Sequence, residues 1–314
     1  MENELMVSIK CAAYNHEPYI RQCLEGFVMQ KTNFRFEAIV HDDASTDRTA
    51  AIIKEYADKY PDIIKPVFET ENQYQKNNLT AVMDSYMHGK YIAICEGDDY
   101  WTDPYKLQKQ VDFLEQHPDY ILSYSDKIVV DEYNKKLITN KLYCKNEYLF
   151  DYLIFIGNPI TTATTCFRRN AYFQAKDKMN EIKLKNLRMG DYPVWIIMST
   201  LGKFRYEKDI MAAYRILQNS ASHSSDYKRI DSFFKDELRI KNELYTEYMG
   251  ENKFHIFEKA YYKTIIRKMV QYDNEIFLKY FKEGIKHYPQ LIFSPKLLFF
   301  LFAKLIGLLK VLKN

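Results

Sequence analysis

Through the first 120 residues, short apolar runs alternate with stretches whose apolar positions recur at helical spacing. "VSIKCAA" (7–13) reads as a buried strand, and "EPYIRQCLEGFVMQ" follows as a helix with Pro18 in its first turn. "FEAIVHD" (36–42) is the next strand, and "TAAIIKEYADKY" is a helix that Thr46 or Asp47 can cap. "IIKPVFE" is a short strand, "LTAVMDSYMHG" a helix closed by Gly89, "KYIAICEG" a strand, and "PYKLQKQVDFLEQH" a helix opened by Pro104. Such alternation predicts an α/β fold with a mostly parallel sheet flanked by helices.

Beyond Tyr120 the alternation weakens. "YILSYSD", "KIVVDE" and "KLIT" read as short strands, the last two as a hairpin, and "NEYLFDYLIFIG" as a helix. "TTATTCFRR" is strand-like, "DYPVWIIMSTLG" helical, and "KFRYEKDIMAAYRI" a returning strand. From about Asp226 the pattern is helical, with Lys/Glu-rich faces. The expected organisation is an α/β domain over 1–225, a helical region over 226–290 and a cationic tail over 291–314. In "PKLLFFLFAKLIGLLKVLKN" the only charges are Lys296, Lys304, Lys310 and Lys313, gathered on one half of a helical wheel. Its apolar stretch would span about 24 Å as a helix, short of the ~30 Å hydrocarbon core. Two readings stand: an in-plane amphipathic anchor on an anionic membrane, or a helix docked on the protein's own core. "LLFFLF" with only cationic company favours the anchor.

Composition changes this picture little. The 314 residues are 47% hydrophobic and 28% charged, as in ordinary globular proteins, and a net charge of +3 gives no reason to expect a nucleic-acid partner. None of Cys11, Cys23, Cys95, Cys144 and Cys166 forms a CxxC pair, which predicts buried thiols rather than a zinc site or a disulfide framework. "MENELMVSIK" has no apolar core of a secretory signal, so a cytoplasmic location is expected.

In parallel α/β sheets, ligands bind beyond the carboxyl ends of the strands. Three polar clusters fall there: Tyr14 to Glu17, Asp42 and Asp43, and Glu96 to Asp99. Asp98 and Asp99 lie too far ahead of the Pro104 helix for its dipole to explain them, whereas Asp103 suits that helix end. Hard carboxylates at a strand end suit Mg²⁺ or Mn²⁺ beside a diphosphate. No GxGxxG follows the first strand and no GxxxxGK[ST] occurs, so a bound nucleotide would lie in neither a dinucleotide fold nor a P-loop.

"VSIKCAAYNHEPYI", "EAIVHDDASTDRT" and "GKYIAICEGDDYWTDPYKLQKQVDFL" together resemble the family 2 glycosyltransferases of GT-A fold, in the family's order and approximate spacing. The resemblance is specific over 5–120, looser to about 225, and absent from the helical C-terminal part. It implies a nucleotide-sugar donor, mostly UDP-linked, a divalent cation and inversion at the anomeric carbon. By position, it places Ala12, Tyr14 and Glu17 at the nucleoside and Asp43 on the base. Asp98 and Asp99 become the acidic element, with Asp99 the direct metal ligand. Glu96 stands where many members carry Asp, its role open between a ribose contact and support of the metal ligands. "LRMGDYPVW" resembles the late acidic motif, with Gly190 replacing its first acid and Asp191 left as catalytic base. Asp191 is equally suited to cap the following helix. "AAYRILQNSASHSS" resembles the late strand, with Leu217 where a His is usual, Arg215 toward phosphate or acceptor, and His223 in the loop beyond. Lys76 is a further candidate for the pyrophosphate, and Trp101 and Trp195 could stack on a sugar or wall the pocket. With the cationic tail, the resemblance points to a saccharide or lipid-linked saccharide acceptor at the inner face of the membrane, as in surface polysaccharide synthesis. Two rivals remain. A sugar-nucleotide nucleotidyltransferase would want a Gly-rich basic loop after the first strand, which "AAYNHEPYI" lacks. A decayed, non-catalytic transferase draws on Gly190 and Leu217.

Overall fold

The computed structural model describes residues 4–74, 76, 79–137, 147–217 and 226–305. Two compact units emerge, one of 1–186 with 191–217 and one of 187–190 with 218–314.

The first unit begins with β1 (Leu5–Ala13), α1 (Ile20–Val28), β2 (Arg35–Asp42), α2 (Thr49–Lys59), β3 (Ile64–Phe68), α3 (Leu79–Asp84) and β4 (Tyr91–Ile94). It continues with β5 (Tyr100–Trp101), α4 (Lys106–Gln116), β6 (Tyr120–Val130), α5 (Phe150–Phe155), β7 (Thr165–Arg168), α6 (Arg169–Glu181), α7 (Asp191–Leu201) and β8 (Lys203–Arg215). The sheet runs β3-β2-β1-β4-β7-β6-β8-β5. β3, β2, β1 and β4 are parallel, as their helical crossovers require. β7 enters antiparallel between β4 and β6, β6 and β8 pair in parallel, and β5 lies antiparallel to β8. Val7, Ile9, Cys11 and Ala13 of β1 pack with Ile20, Leu24 and Phe27 of α1 in the core under the strand ends. Cys11, Cys23, Cys95 and Cys166 are buried free thiols; Cys144 lies outside the described residues.

Several local expectations change. "YILSYSD" and "KIVVDE" form one strand, β6, because β8 pairs along its whole length. The expected hairpin survives as an antiparallel bridge from Val130 to Lys136, and the rest of "KLIT" beyond Leu137 lies outside the described residues. α3 stops at Asp84, so Gly89 caps no helix. It is needed for close approach: a Cβ there would lie 2.5 Å from the Ser8 amide nitrogen. Pro18 and Pro104 each stand two residues ahead of the first helical residue, Ile20 and Lys106. α6 was missed because only Ala171, Tyr172, Ala175 and Met179 are buried in an otherwise polar helix.

The second unit contains α8 (Tyr227–Met249), α9 (Phe254–Met269), α10 (Asn274–His287) and α11 (Pro295–Leu305). Asp226 and Asp273 cap α8 and α10 by accepting from the Lys228 and Ile276 amides, and Gly250 closes α8 at φ 68°. Ile265, Ile266, Met269, Phe277 and Leu297 form its core.

Candidate active site

The three polar clusters stand side by side because β1, β2 and β4 are parallel neighbours whose chains all leave the sheet at the same end. The first two clusters are knitted together by side chains that accept backbone N–H groups. Asp43 is buried; its Oδ1 accepts from the Gln73 amide at 2.6 Å and its Oδ2 from the Tyr74 amide at 3.1 Å. Glu17 accepts from the Arg48 amide at 3.0 Å, and Asp47 from the Glu17 and Thr49 amides at 3.0 and 2.9 Å. Asn15 Oδ1 accepts from the Thr46 amide at 2.8 Å. These bonds hold Ala44 at φ 61°, left-handed backbone that a residue with a Cβ adopts only when its surroundings impose it. Tyr14 is 42% exposed above this loop, and the Ala12 carbonyl accepts from the Gly97 amide at 2.9 Å.

The third cluster is built differently. Its loop turns over Gly97, where a Cβ would lie 2.9 Å from His16 Nδ1 and 3.0 Å from the Ala13 Cβ. Asp99 is buried, and its Oδ1 accepts from the Arg215 amide at 2.7 Å. Burial, then Asp98 and Glu96, push its carboxyl well above the usual range, against the pull of Arg215. Glu96 Oε2 accepts from the Thr162 hydroxyl at 2.8 Å. Burial and Asp98 nevertheless push Glu96 up to about 7, and Asp191 adds to the rise. Among the described residues, the Asp98 carboxylate makes no hydrogen bond or ion pair. Asp103 has the separate role expected of it, accepting from the Tyr105 amide at 2.8 Å ahead of α4.

Asp191 is the first residue of α7. Helix-end amides favour its charged form, but burial outweighs them and its pKa is raised, which strengthens it as a base. The charges of Asp99, Asp98, Glu96 and Asp191 all reach the Tyr214 phenol and, with burial, hold it protonated. Tyr214 thus lies within electrostatic reach of all four acids.

The Arg215 guanidinium, expected at the donor or acceptor, instead lies beneath the acidic loop with the residue 2% exposed. It donates to the Asp98 carbonyl at 2.8 Å, the Asp131 carbonyl at 3.0 Å and Gln22 Oε1 at 3.0 Å, with its centre 4.6 Å from the Tyr19 ring. Three protein acceptors and an aromatic face explain why a buried guanidinium is tolerated there. Trp101 and Trp195 are also buried, Trp101 donating to the Ala163 carbonyl at 2.9 Å, so both belong to the walls and core rather than to an open stacking face. Lys76 pairs with Glu71. His223 lies outside the described residues.

Residues 8–175 match the sequence model of Glycosyl transferase family 2. The chain belongs to this family. Over 113 residues it is 50% identical to an uncharacterized protein of Mycobacterium tuberculosis, a match covering 36% of this chain and 32% of that one. Over 127 residues it is 37% identical to EpsE of Bacillus subtilis, a putative glycosyltransferase, covering 40% of this chain and 45% of EpsE. The chain thus spans less than half the length of these curated relatives. The fold is shared with S. aureus TarS solved in complex with UDP-GlcNAc, at a TM-score of 0.56 and 15% identity over 93% of this chain and 92% of that one.

Asp43, Glu96, Asp98, Asp99 and Asp191 were candidates that the sequence offered, the last of them outside the matched residues 8–175. Thr162, Asp131, Gln22 and Tyr214 could not, since each matters through a partner far along the chain. Among the described residues, no group of three or more His, Cys, Asp or Glu is arranged to enclose a metal. Asp98 and Asp99 nonetheless fit a cation that takes few protein ligands: they are adjacent hard oxygens, burial and its acidic neighbours push Asp99 toward protonation, and the Asp98 carboxylate makes no described hydrogen bond or ion pair.

Proposed function

We propose that this protein transfers a glycosyl group from a nucleotide sugar, with UDP as the nucleotide, to a hydroxyl of a saccharide or lipid-linked saccharide acceptor. The observation that carries this reading is a group of three carboxylates at the end of β4, Glu96, Asp98 and Asp99, with Asp191 of α7 close enough for its charge to act on Glu96. Burial pushes Glu96, Asp99 and Asp191 toward protonation, and the Asp98 carboxylate makes no described hydrogen bond or ion pair. A protein that only bound a ligand would gain nothing from a raised Asp191, whereas a transferase needs a base.

Ala12, Tyr14, Glu17 and Asp43 would receive the nucleoside, Asp43 offering its remaining lone pairs to a base N–H. Mg²⁺ or Mn²⁺ held by Asp98 and Asp99 would neutralise charge on the departing diphosphate. Asp191 takes the proton of the acceptor hydroxyl as that oxygen bonds to the anomeric carbon. The bond from that carbon to the diphosphate oxygen breaks at the same time, its electron pair leaving with the nucleoside diphosphate, so the anomeric centre inverts. Glu96, held by the Thr162 hydroxyl, keeps the loop's geometry and adds to the rise of Asp99 and Tyr214. TarS, which shares the fold, was solved with UDP-GlcNAc, and this supports UDP as the nucleotide.

A cytoplasm-facing membrane setting and a role in surface polysaccharide assembly complete the reading. Among the described residues, no helix is long and apolar enough to cross a membrane. The test is a panel of nucleotide sugars assayed for Mn²⁺-dependent hydrolysis and for thermal stabilisation. One UDP-sugar should stabilise the protein and turn over slowly to UDP. Stabilisation by nucleotide sugars without turnover, with or without added saccharide acceptors, would leave only a decayed binding protein.

A further inference from the structure

The sequence offers two readings of the C-terminal helix, packing element or membrane anchor. In the structure α11 has two opposed apolar faces. The inner one is occupied: Leu297 is fully buried, Phe300 and Leu301 pack against the second unit's core, and Lys304 Nζ donates to the Tyr272 carbonyl at 2.5 Å. These positions recur at three- to four-residue spacing along one side of the helix. The outer side carries Phe299 at 62% and Phe302 at 60% exposure, with exposed Lys296 one turn earlier. The turn leading into α11 adds Phe293, 81% exposed, and Ile292, 41% exposed. Of the exposed large apolar residues in the second unit, these four lie within eleven positions. Satisfying its own core therefore does not account for this helix, because the packing is complete without the outer phenylalanines.

We propose that this outer face, Ile292, Phe293, Lys296, Phe299 and Phe302, docks the folded protein onto an anionic lipid surface. Charge selects the occupant: Lys296 is exposed on this face, Lys304 is turned inward to the Tyr272 carbonyl, Lys310 and Lys313 follow in the sequence outside the described residues, and from residue 289 to 314 there is no acidic side chain. Aromatic side chains entering the acyl boundary with lysines at headgroup level are the pattern of an in-plane helix. Because the inner face is already packed, the helix docks as part of a prefolded unit rather than folding on arrival. The inference extends the lipid-linked acceptor reading, but the contact itself needs no catalysis.

The test is co-sedimentation of the full-length protein with phosphatidylcholine vesicles, with and without roughly a third phosphatidylserine. The parent should pellet with the anionic vesicles and mostly stay in solution with the neutral ones. The double variant Phe299→Glu/Phe302→Glu should bind at least tenfold less, and Lys296→Glu about fivefold less, all with the parent's melting temperature because these side chains are exposed. Asp99→Asn, which removes the proposed chemistry, should bind vesicles like the parent, so failure of catalysis and failure of docking are separable. Equal binding by the double variant, or no parent binding to anionic vesicles, overturns the proposal. A parent dimer in sedimentation that the double variant abolishes, without vesicle binding, would assign the face to a second copy instead and equally overturn it.

Discussion

Two sets of carboxylates stand at the same end of the same sheet and live under opposite conditions. Around β1 and β2, Glu17, Asp43 and Asp47 each accept backbone N–H groups from neighbouring loops. Around β4 and α7, Glu96, Asp98, Asp99 and Asp191 crowd one another, with one hydroxyl, one backbone amide and helix-end amides among their described partners. Acids of the first kind build a loop, and the proposed nucleoside site would be a by-product of that scaffold. Of the second kind, Glu96, Asp99 and Asp191 are pushed toward their protonated forms, chiefly by burial, despite these partners, so a proton or a cation relieves them further. Sequence shows both as acidic clusters; hydrogen-bond partners tell them apart.

The widest separation should come from exchanging one acid in each set. Asp99→Asn removes charge yet keeps an acceptor for the Arg215 amide, so turnover should fall by about a thousandfold while the melting temperature holds or rises. An unchanged rate with Mn²⁺ present would remove Asp99 from the chemistry. Asp191→Asn should lower kcat by about 10²- to 10³-fold with donor affinity unchanged by calorimetry; a retained kcat would move the base elsewhere.

Asp43→Ala should do the reverse. It strands two backbone amides and should cost about 1–3 kcal/mol in denaturant unfolding, along with nucleotide affinity. A variant as stable as the parent would mean that the scaffold does not depend on Asp43.

The smallest effect is in pH. Glu96 has a folded-state pKa of about 7, above its ordinary 4.5, so between these values the folded protein holds the extra proton. Stability should therefore fall through this group as pH rises from about 4.5 to 7, and Glu96→Gln should flatten that slope. Mn²⁺ should flatten it as well, because a cation takes over the relief that the proton provides. A slope identical in parent and variant would show that Glu96 is not under the strain its surroundings imply.

The legibility of the molecule follows the same division. β1 to β4 and their helices were readable because each element carries its own periodicity, and the strand-end position of the acids followed directly. The continuity of β6 was not, since it depends on pairing with β8, some eighty positions onward. Arg215 was assigned outward because arginine suits phosphate, yet its position is set by Gln22, Asp98 and Asp131, which no local pattern connects to it. For the terminal helix, sequence supplied two alternatives, and the structure shows one apolar face packed and the other exposed.

The bond from the Arg215 amide to Asp99 spans 116 positions. During synthesis, the acidic loop leaves the ribosome long before the strand that fastens it. Until Arg215 has emerged and β8 has closed along β6, Asp98 and Asp99 have no floor beneath them. A nascent chain can thus finish the loop scaffold around β1 and β2 early and still have no organised acidic centre, so the proposed chemistry would be deferred until the first unit is whole.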